Sequence, residues 1–232
     1  MQSPLRIDTP DGSFNAYVAR PTRPAPASTV VVLHEVFGVN ADMRRTCDEL
    51  AARGYVAICP DLLWRIEPGI DLTDRTPAEI EKATALYAAF DPDKAVADVA
   101  RTLDLARRQP GTTGKVGVIG FCLGGLLSFL TAARIGTDAA IAYYPGNADK
   151  YIDEAPRIGT PLLVHLAQED EYIPKPAQKL IVDALAQRPM ARTFSYAGCS
   201  HAFARHGGGH YDAGAAILAN GRSADFLARH LK

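Results

Sequence analysis

The stretch that most constrains this chain is an apolar, strand-like run over residues 116–121 that passes directly into a helix-like run over 123–135. Gly120-Phe121-Cys122-Leu123-Gly124-Gly125 joins the two. Such a junction has the form Gly-x-nucleophile-x-Gly, with cysteine at the nucleophile position. The glycines have a steric reason: strand and helix approach closely at a sharp turn, so flanking residues must lack side chains. The turn sets the Cys122 thiol at a helix N-terminus, where free N–H groups and the helix dipole favour a thiolate. It also aims the N–H of Leu123 at the place where an oxyanion develops. The competing reading is a small buried cysteine in a glycine-rich turn of the sort that holds phosphate. The chain has no G-x-G-x-x-G at this turn and no Gly-Lys-Ser/Thr, the signatures such a phosphate turn carries.

The surrounding pattern alternates strand-like and helix-like segments. Strands are expected over residues 14–19, 29–34, 55–59, 116–121, 139–144, 162–166 and 192–196. Helices are expected over 41–53, 76–89, 91–109, 123–135, 174–187 and 211–230. Thr76 and Asp91 stand as N-caps, each followed by proline at the first helical position. Residues 110–115 read as a turn, 62–76 as irregular, and 21–27 (PTRPAPA) as a loop too short to divide domains. Alternation of this kind predicts an α/β fold with a mostly parallel, doubly wound sheet and helices on both faces. Functional residues should then follow strand ends. With 232 residues, 47% of them apolar, the chain is expected to form one domain, residues 1–232.

A net charge of −1 gives no electrostatic case for nucleic acid or an anionic membrane. The opening MQSPLRIDTPDG has no apolar core of a secretory signal, and no apolar run is long enough to span a bilayer. Four cysteines without a CxxC pair do not make a disulfide framework. A cytoplasmic location with reduced thiols is the resulting expectation.

A nucleophile of this type needs a base and an acid. In α/β-hydrolases they follow it in the order acid, then histidine. After residues 162–166 come Glu169, Asp170 and Glu171; after 192–196 comes Gly198-Cys199-Ser200-His201. A free thiol titrates near pH ~8.5, so an adjacent imidazole helps form the thiolate. The carboxylate fixes the imidazole tautomer and stabilises its cation. Among the three acids the D-x-x-I-P spacing favours Asp170. The others read as solvated turn carboxylates. Among six histidines, chain order and strand-end position select His201. His34 and His165 fall in buried strands and read as core, and His230 is near the terminus. His201, His206 and His210 form H-x4-H-x3-H, a weak metal signal without carboxylate or thiolate partners at ligand spacing. Cys47 and Cys59 read as core, and Cys199 receives no role.

Over nearly its whole length the chain resembles the bacterial dienelactone hydrolase family, within the α/β-hydrolase fold. The resemblance is carried by DTPDGSFNAYVARP, LHEVFGVN, GYVAICPDLL, KVGVIGFCLGG, AIAYYPG, DEYIP, GCSHAFAR and ANGRSADFL. Cysteine in the turn together with Glu35 in HEVFGVN is its most specific part. The resemblance implies that Cys122, Asp170 and His201 form a triad. Glu35 is then an additional active-site carboxylate that helps activate the thiol, and the N–H of Val36 is the second oxyanion donor beside that of Leu123. Arg205 matches an arginine that clamps the substrate carboxylate. Phe37, Trp64, Tyr87 and Tyr143 are candidate aromatic pocket walls, with ordinary core packing as the alternative for each. A second carboxylate-binding arginine of the family falls near Ile80, and this chain lacks it, which implies weaker selectivity for anionic lactones.

The implied reaction is hydrolysis of a small-molecule lactone or ester, dienelactone to maleylacetate, through an acyl-enzyme. It needs no metal or organic cofactor, and the family implies a monomer. The alternatives are a general carboxylesterase or thioesterase acting on neutral acyl groups, a non-catalytic ligand-binding relative, and, last, a metal-binding protein.

Overall fold

The computed structural model describes residues 5–22 and 26–232. Residues 1–4 of the opening segment and 23–25 of the 21–27 loop lie outside that range. The strands are β1 (Leu5–Thr9), β2 (Gly12–Ala19), β3 (Ala27–Leu33), β4 (Val56–Pro60), β5 (Thr112–Phe121), β6 (Ala139–Tyr143), β7 (Leu162–Ala167) and β8 (Ala191–Tyr196). The helices are α1 (Ala41–Ala52), α2 (Pro77–Ala89), α3 (Pro92–Arg107), α4 (Leu123–Arg134), α5 (Lys175–Ala186) and α6 (Ala213–Leu231). The fold is α/β, and its sheet order is β1-β2-β4-β3-β5-β6-β7-β8. β1 and β2 pair antiparallel, as do β2 and β4; the pairs β3–β4, β6–β7 and β7–β8 are parallel. The mostly parallel sheet follows from the alternation in the sequence. The β1–β2 hairpin does not: β1 is a short edge strand whose Asp8 and Arg6 leave it no apolar run. β5 also begins four residues before the expected 116.

Two compact units divide the chain, Met1–Gly117 and Val118–Lys232. In the first, α1 packs on β2 and β4, and α3 on β1 and β3. The caps read from sequence form: Thr76 Oγ1 accepts from the N–H of Glu79, and Asp91 accepts from Asp93 and Lys94. The irregular stretch after β4 is tied down by buried polar groups. Asp61 accepts from the N–H groups of Leu63 and Gly69, and His34 Nε2 accepts from the N–H of Leu62. Buried Asp98 on α3 takes Trp64 Nε1 at 2.8 Å and Arg65 through two nitrogens. At Gly38 a Cβ would stand 2.0 Å from the carbonyl oxygen of Ile70. Only glycine, here at φ 77°, permits that crossing of loops.

In the second unit α4 packs on β6, α5 on β8, and α6 on β6 and β7. α4 is buried from Leu123 to Ala133, and its apolar sequence suits a helix enclosed on all sides. A polar network runs through this core. His165 meets the Tyr196 hydroxyl at 2.8 Å and Ser223 Oγ at 3.0 Å, and Ser223 meets the Tyr143 hydroxyl at 2.6 Å. Burial, with a lesser contribution from the Arg222 charge, pushes His165 down to about 3. Burial likewise lowers His34.

A histidine neutral in the fold but titrating near 6.5 when unfolded takes up a proton only on unfolding across that window. Stability should therefore fall as pH drops from about 6.5 toward about 3, each such histidine adding up to about 1.4 kcal/mol per pH unit to the slope. Urea unfolding at a series of pH values checks this, and His165→Gln should flatten the slope.

Candidate active site

The turn between β5 and α4 has the steepest steric demands in its unit. Cys122 sits at φ 53° and ψ −110°, a backbone conformation that L-residues avoid. Its N–H donates to the carbonyl of Tyr143 at 3.1 Å, which anchors the turn to β6. A Cβ on Gly120 would lie 1.9 Å from the carbonyl oxygen of Gly124, and one on Gly125 would lie 2.4 Å from that of Tyr143. Leu123 is the first residue of α4, so its N–H is one of the helix's unpaired donors, at the thiol.

Asp170 follows β7 and shows why the D-x-x-I-P spacing works. Its Oδ1 accepts from the N–H groups of Tyr172 and Ile173 at 2.9 and 3.0 Å, folding the chain into the turn that Pro174 carries into α5. The same carboxylate receives His201 Nδ1, at 3.0 Å to Oδ1 and 2.9 Å to Oδ2. Both side chains are almost fully enclosed, at 0% and 5% exposure. With Nδ1–H directed at Asp170, Nε2 is the ring's working nitrogen. It is buried, and Cys122 is the side chain that interacts with it. Burial works against a charge on this imidazole, but negative charge at Cys122 and the bond to Asp170 outweigh it and push His201 up to about 10.

The ring of His201 lies between two tyrosines. Buried Tyr144 packs at 5.0 Å between centroids; Tyr172, 69% exposed, meets the ring edge-on at 4.9 Å. Tyr144 (φ 36°) and Ala202 (φ 61°) join Cys122 in left-handed backbone, so three of the four non-glycine residues with positive φ among the described residues border this site. Strain of this kind persists only where the surroundings over-determine it.

Of the competing acids, exposed Glu169 pairs with Lys175, while Glu171 Oε2 accepts the main-chain N–H of His201 at 3.2 Å. His210 Nδ1 faces the His201 carbonyl at 3.1 Å. The Glu171 and His210 contacts are invisible in sequence, because both depend on how two loops meet. Among the described residues no three histidine, cysteine, aspartate or glutamate side chains form a metal cluster. Arg205 follows half-buried in the turn that opens at Ala202. Tyr143 lies fully inside the core, its hydroxyl committed to Ser223 and Asn220. Cys199 is buried, and burial pushes its thiol up.

The remaining expected site residues belong to the Met1–Gly117 unit. Glu35 is 1% exposed, just past β3, where its carbonyl meets His34 Nδ1 at 2.6 Å. Val36 packs on Leu63, Ile70 and Leu86. Phe37 is buried, and its carbonyl accepts from Leu72. Trp64 stacks on Phe14 at 5.6 Å between centroids with Arg65 over its ring, and Tyr87 is half-buried on α2. Ile80 is exposed on α2, and Lys82 pairs with Glu67. Cys47 and Cys59 are both fully buried in this unit's core.

Known proteins resemble this chain over most of its length. The family model for the dienelactone hydrolases matches residues 14–231. The chain belongs to the dienelactone hydrolase family. A protein of Azospirillum brasilense, provisionally named a carboxymethylenebutenolidase, is 43% identical over 95% of both chains. The carboxymethylenebutenolidase of Pseudomonas putida is 40% identical over 97% of this chain and 95% of its own. Among solved structures, a Klebsiella pneumoniae protein provisionally named a dienelactone hydrolase superposes with a TM-score of 0.85 at 27% identity, covering 98% of each chain. None of the helices among the described residues of this family member is long and apolar enough to cross a membrane.

Two outcomes follow from the geometry. Gly120→Ala forces a methyl into the Gly124 backbone and should lower stability by about 3 kcal/mol or more, read by thermal or urea unfolding. Cys122→Ser removes the charge that raises His201, so the imidazole pKa followed by NMR should fall from about 10 toward the ordinary range near 6.5.

Proposed function

We propose that the protein hydrolyses a lactone or ester bond with Cys122 as nucleophile, His201 as proton carrier and Asp170 as the group that orients it. The observation that carries this reading is an imidazole locked by a buried carboxylate and raised by Cys122 at a strained strand-to-helix turn. His201 beside Cys122 is placed to take the thiol proton and leave the thiolate as nucleophile. The Cys122 thiolate attacks the carbonyl carbon, and the oxyanion is received by the N–H groups of Leu123 and Val36. As the ring C–O bond breaks, the leaving enolate oxygen takes the proton from His201. The neutral imidazole then removes a proton from water. The hydroxide adds to the thioester, and the thiolate departs to restore the ion pair.

Buried Glu35 takes the role of the family's additional active-site carboxylate, and Arg205 that of the clamp for a substrate carboxylate. Phe37, Trp64 and Tyr87 supply apolar contact, while Tyr143 supports the site through packing. The name of the Pseudomonas putida relative, carboxymethylenebutenolidase, supports dienelactone as substrate and maleylacetate as product. The reading includes one domain working as a monomer in the cytoplasm, which suits four free cysteines.

A second reading keeps this machinery and changes the substrate to neutral esters. It is favoured by exposed, uncharged Ile80 where an anion-binding arginine is expected.

Hydrolysis of a dienelactone and of an aryl acetate, by wild type and Cys122→Ala, tests both readings. Loss of all turnover in the mutant is expected. Wild-type turnover of the aryl ester without the lactone would move the function to the second reading. Ile80→Arg should lower the KM for the anionic lactone by about fivefold, in line with a partly exposed ion pair, and leave that for the aryl ester unchanged.

A further inference from the structure

The imidazole of His201 is held by Asp170, but its main chain is held by something else. His201 lies between the turn at Cys199 and the left-handed residue Ala202, outside any strand or helix. Among the described residues its N–H and carbonyl are met by two side chains alone. Glu171 Oε2 takes the N–H at 3.2 Å, and His210 Nδ1 approaches the carbonyl at 3.1 Å. These side chains also face each other, Glu171 Oε1 standing 3.4 Å from His210 Nδ1. Both neighbours of that nitrogen are acceptors, so Nδ1 carries its proton whether the ring is neutral or cationic.

We infer that Glu171 and His210 are positioning residues, a clasp that fixes the backbone of His201 while Asp170 fixes its ring. Successive residues of one turn thus have separate roles. Asp170 sets the tautomer and ring direction, and Glu171 sets where the residue stands. The clasp rests on the catalytic reading above, because its purpose is to keep Nε2 aimed at the thiol and at the water that attacks the thioester. Displacement of a base by a fraction of an ångström slows proton transfer without weakening substrate binding. The two side chains are half-exposed, at 52% for His210 and 41% for Glu171, so their mutual charge contributes little and their hydrogen bonds to the backbone carry the effect.

That division predicts which substitutions are tolerated. Glu171→Gln keeps an oxygen to accept the N–H, and His210→Asn keeps an N–H donor near the place of Nδ1. Glu171→Ala and His210→Ala keep neither. Steady-state hydrolysis of an aryl acetate by the full chain should show kcat reduced about tenfold in both alanine variants with KM little changed, and near wild-type kcat in Glu171→Gln and His210→Asn. The pH profile of Cys122 alkylation by iodoacetamide gives a second readout that loss of folding stability would not move. It should shift to higher pH in the alanine variants as the imidazolium drifts from the thiol. Wild-type kcat and an unshifted alkylation profile in both alanine variants, with Cys122→Ala inactive, would overturn the clasp and leave the triad standing. Turnover surviving in Cys122→Ala would instead bring down the catalytic reading. The alkylation profile alone then judges the clasp, and an unshifted profile overturns it.

Discussion

Everything in the site depends on a backbone contact with no side chain in it. At Gly120 the end of β5 runs so close to the first turn of α4 that the Gly124 carbonyl occupies the volume of a methyl group. That approach forces the next turn residue but one, Cys122, into left-handed backbone and lifts its thiol to the start of a helix. The strain is held by what surrounds it. α4 is enclosed along its length, and the Cys122 N–H is bonded to β6. A helix buried so completely cannot relax outward to relieve the turn, since the cost of exposing its apolar residues exceeds that of one unfavourable dihedral pair.

Asp170 shows how little apparatus the second half of the chemistry needs. One carboxylate shapes its own turn through two main-chain N–H groups and binds the imidazole with what remains of its acceptor capacity. Folding of the turn and orientation of the base are therefore one event. The carboxylate is fully enclosed but satisfied by three donors, the condition under which a buried charge is tolerable.

Three buried histidines in this chain meet different fates, and the difference lies in their neighbours. His34 gives one nitrogen to a carbonyl and the other to an N–H, which fixes it as a neutral structural link. His165 sits among hydroxyls with Arg222 nearby, so burial wins and the ring stays uncharged. His201 is as deeply enclosed, yet a carboxylate on one side and a thiol on the other overcome the desolvation and keep it charged. Burial sets the cost in each case, and the sign of adjacent charge decides the outcome.

Much of this was legible in the chain itself. The alternation of apolar β-branched runs with capped helical segments is a local property, and it determined the α/β class and nearly every element. The glycine spacing around Cys122 and the D-x-x-I-P turn are equally local, because a sharp turn and a self-capping aspartate impose their chemistry on adjacent residues. The edge strand β1 is hidden at that level because its polar residues mask its pairing with β2. Only the tertiary structure decided what the two acids beside Asp170 do. It showed that Glu171 grips the His201 backbone rather than lying in solvent, that Tyr143 is committed to the core, and that Tyr172 edges the base. The outcomes for Glu171 and Tyr172 depend on how loops after β7 and β8 meet across the ends of neighbouring strands. Contacts between residues some thirty positions apart leave no periodicity or spacing in the sequence from which they could be read.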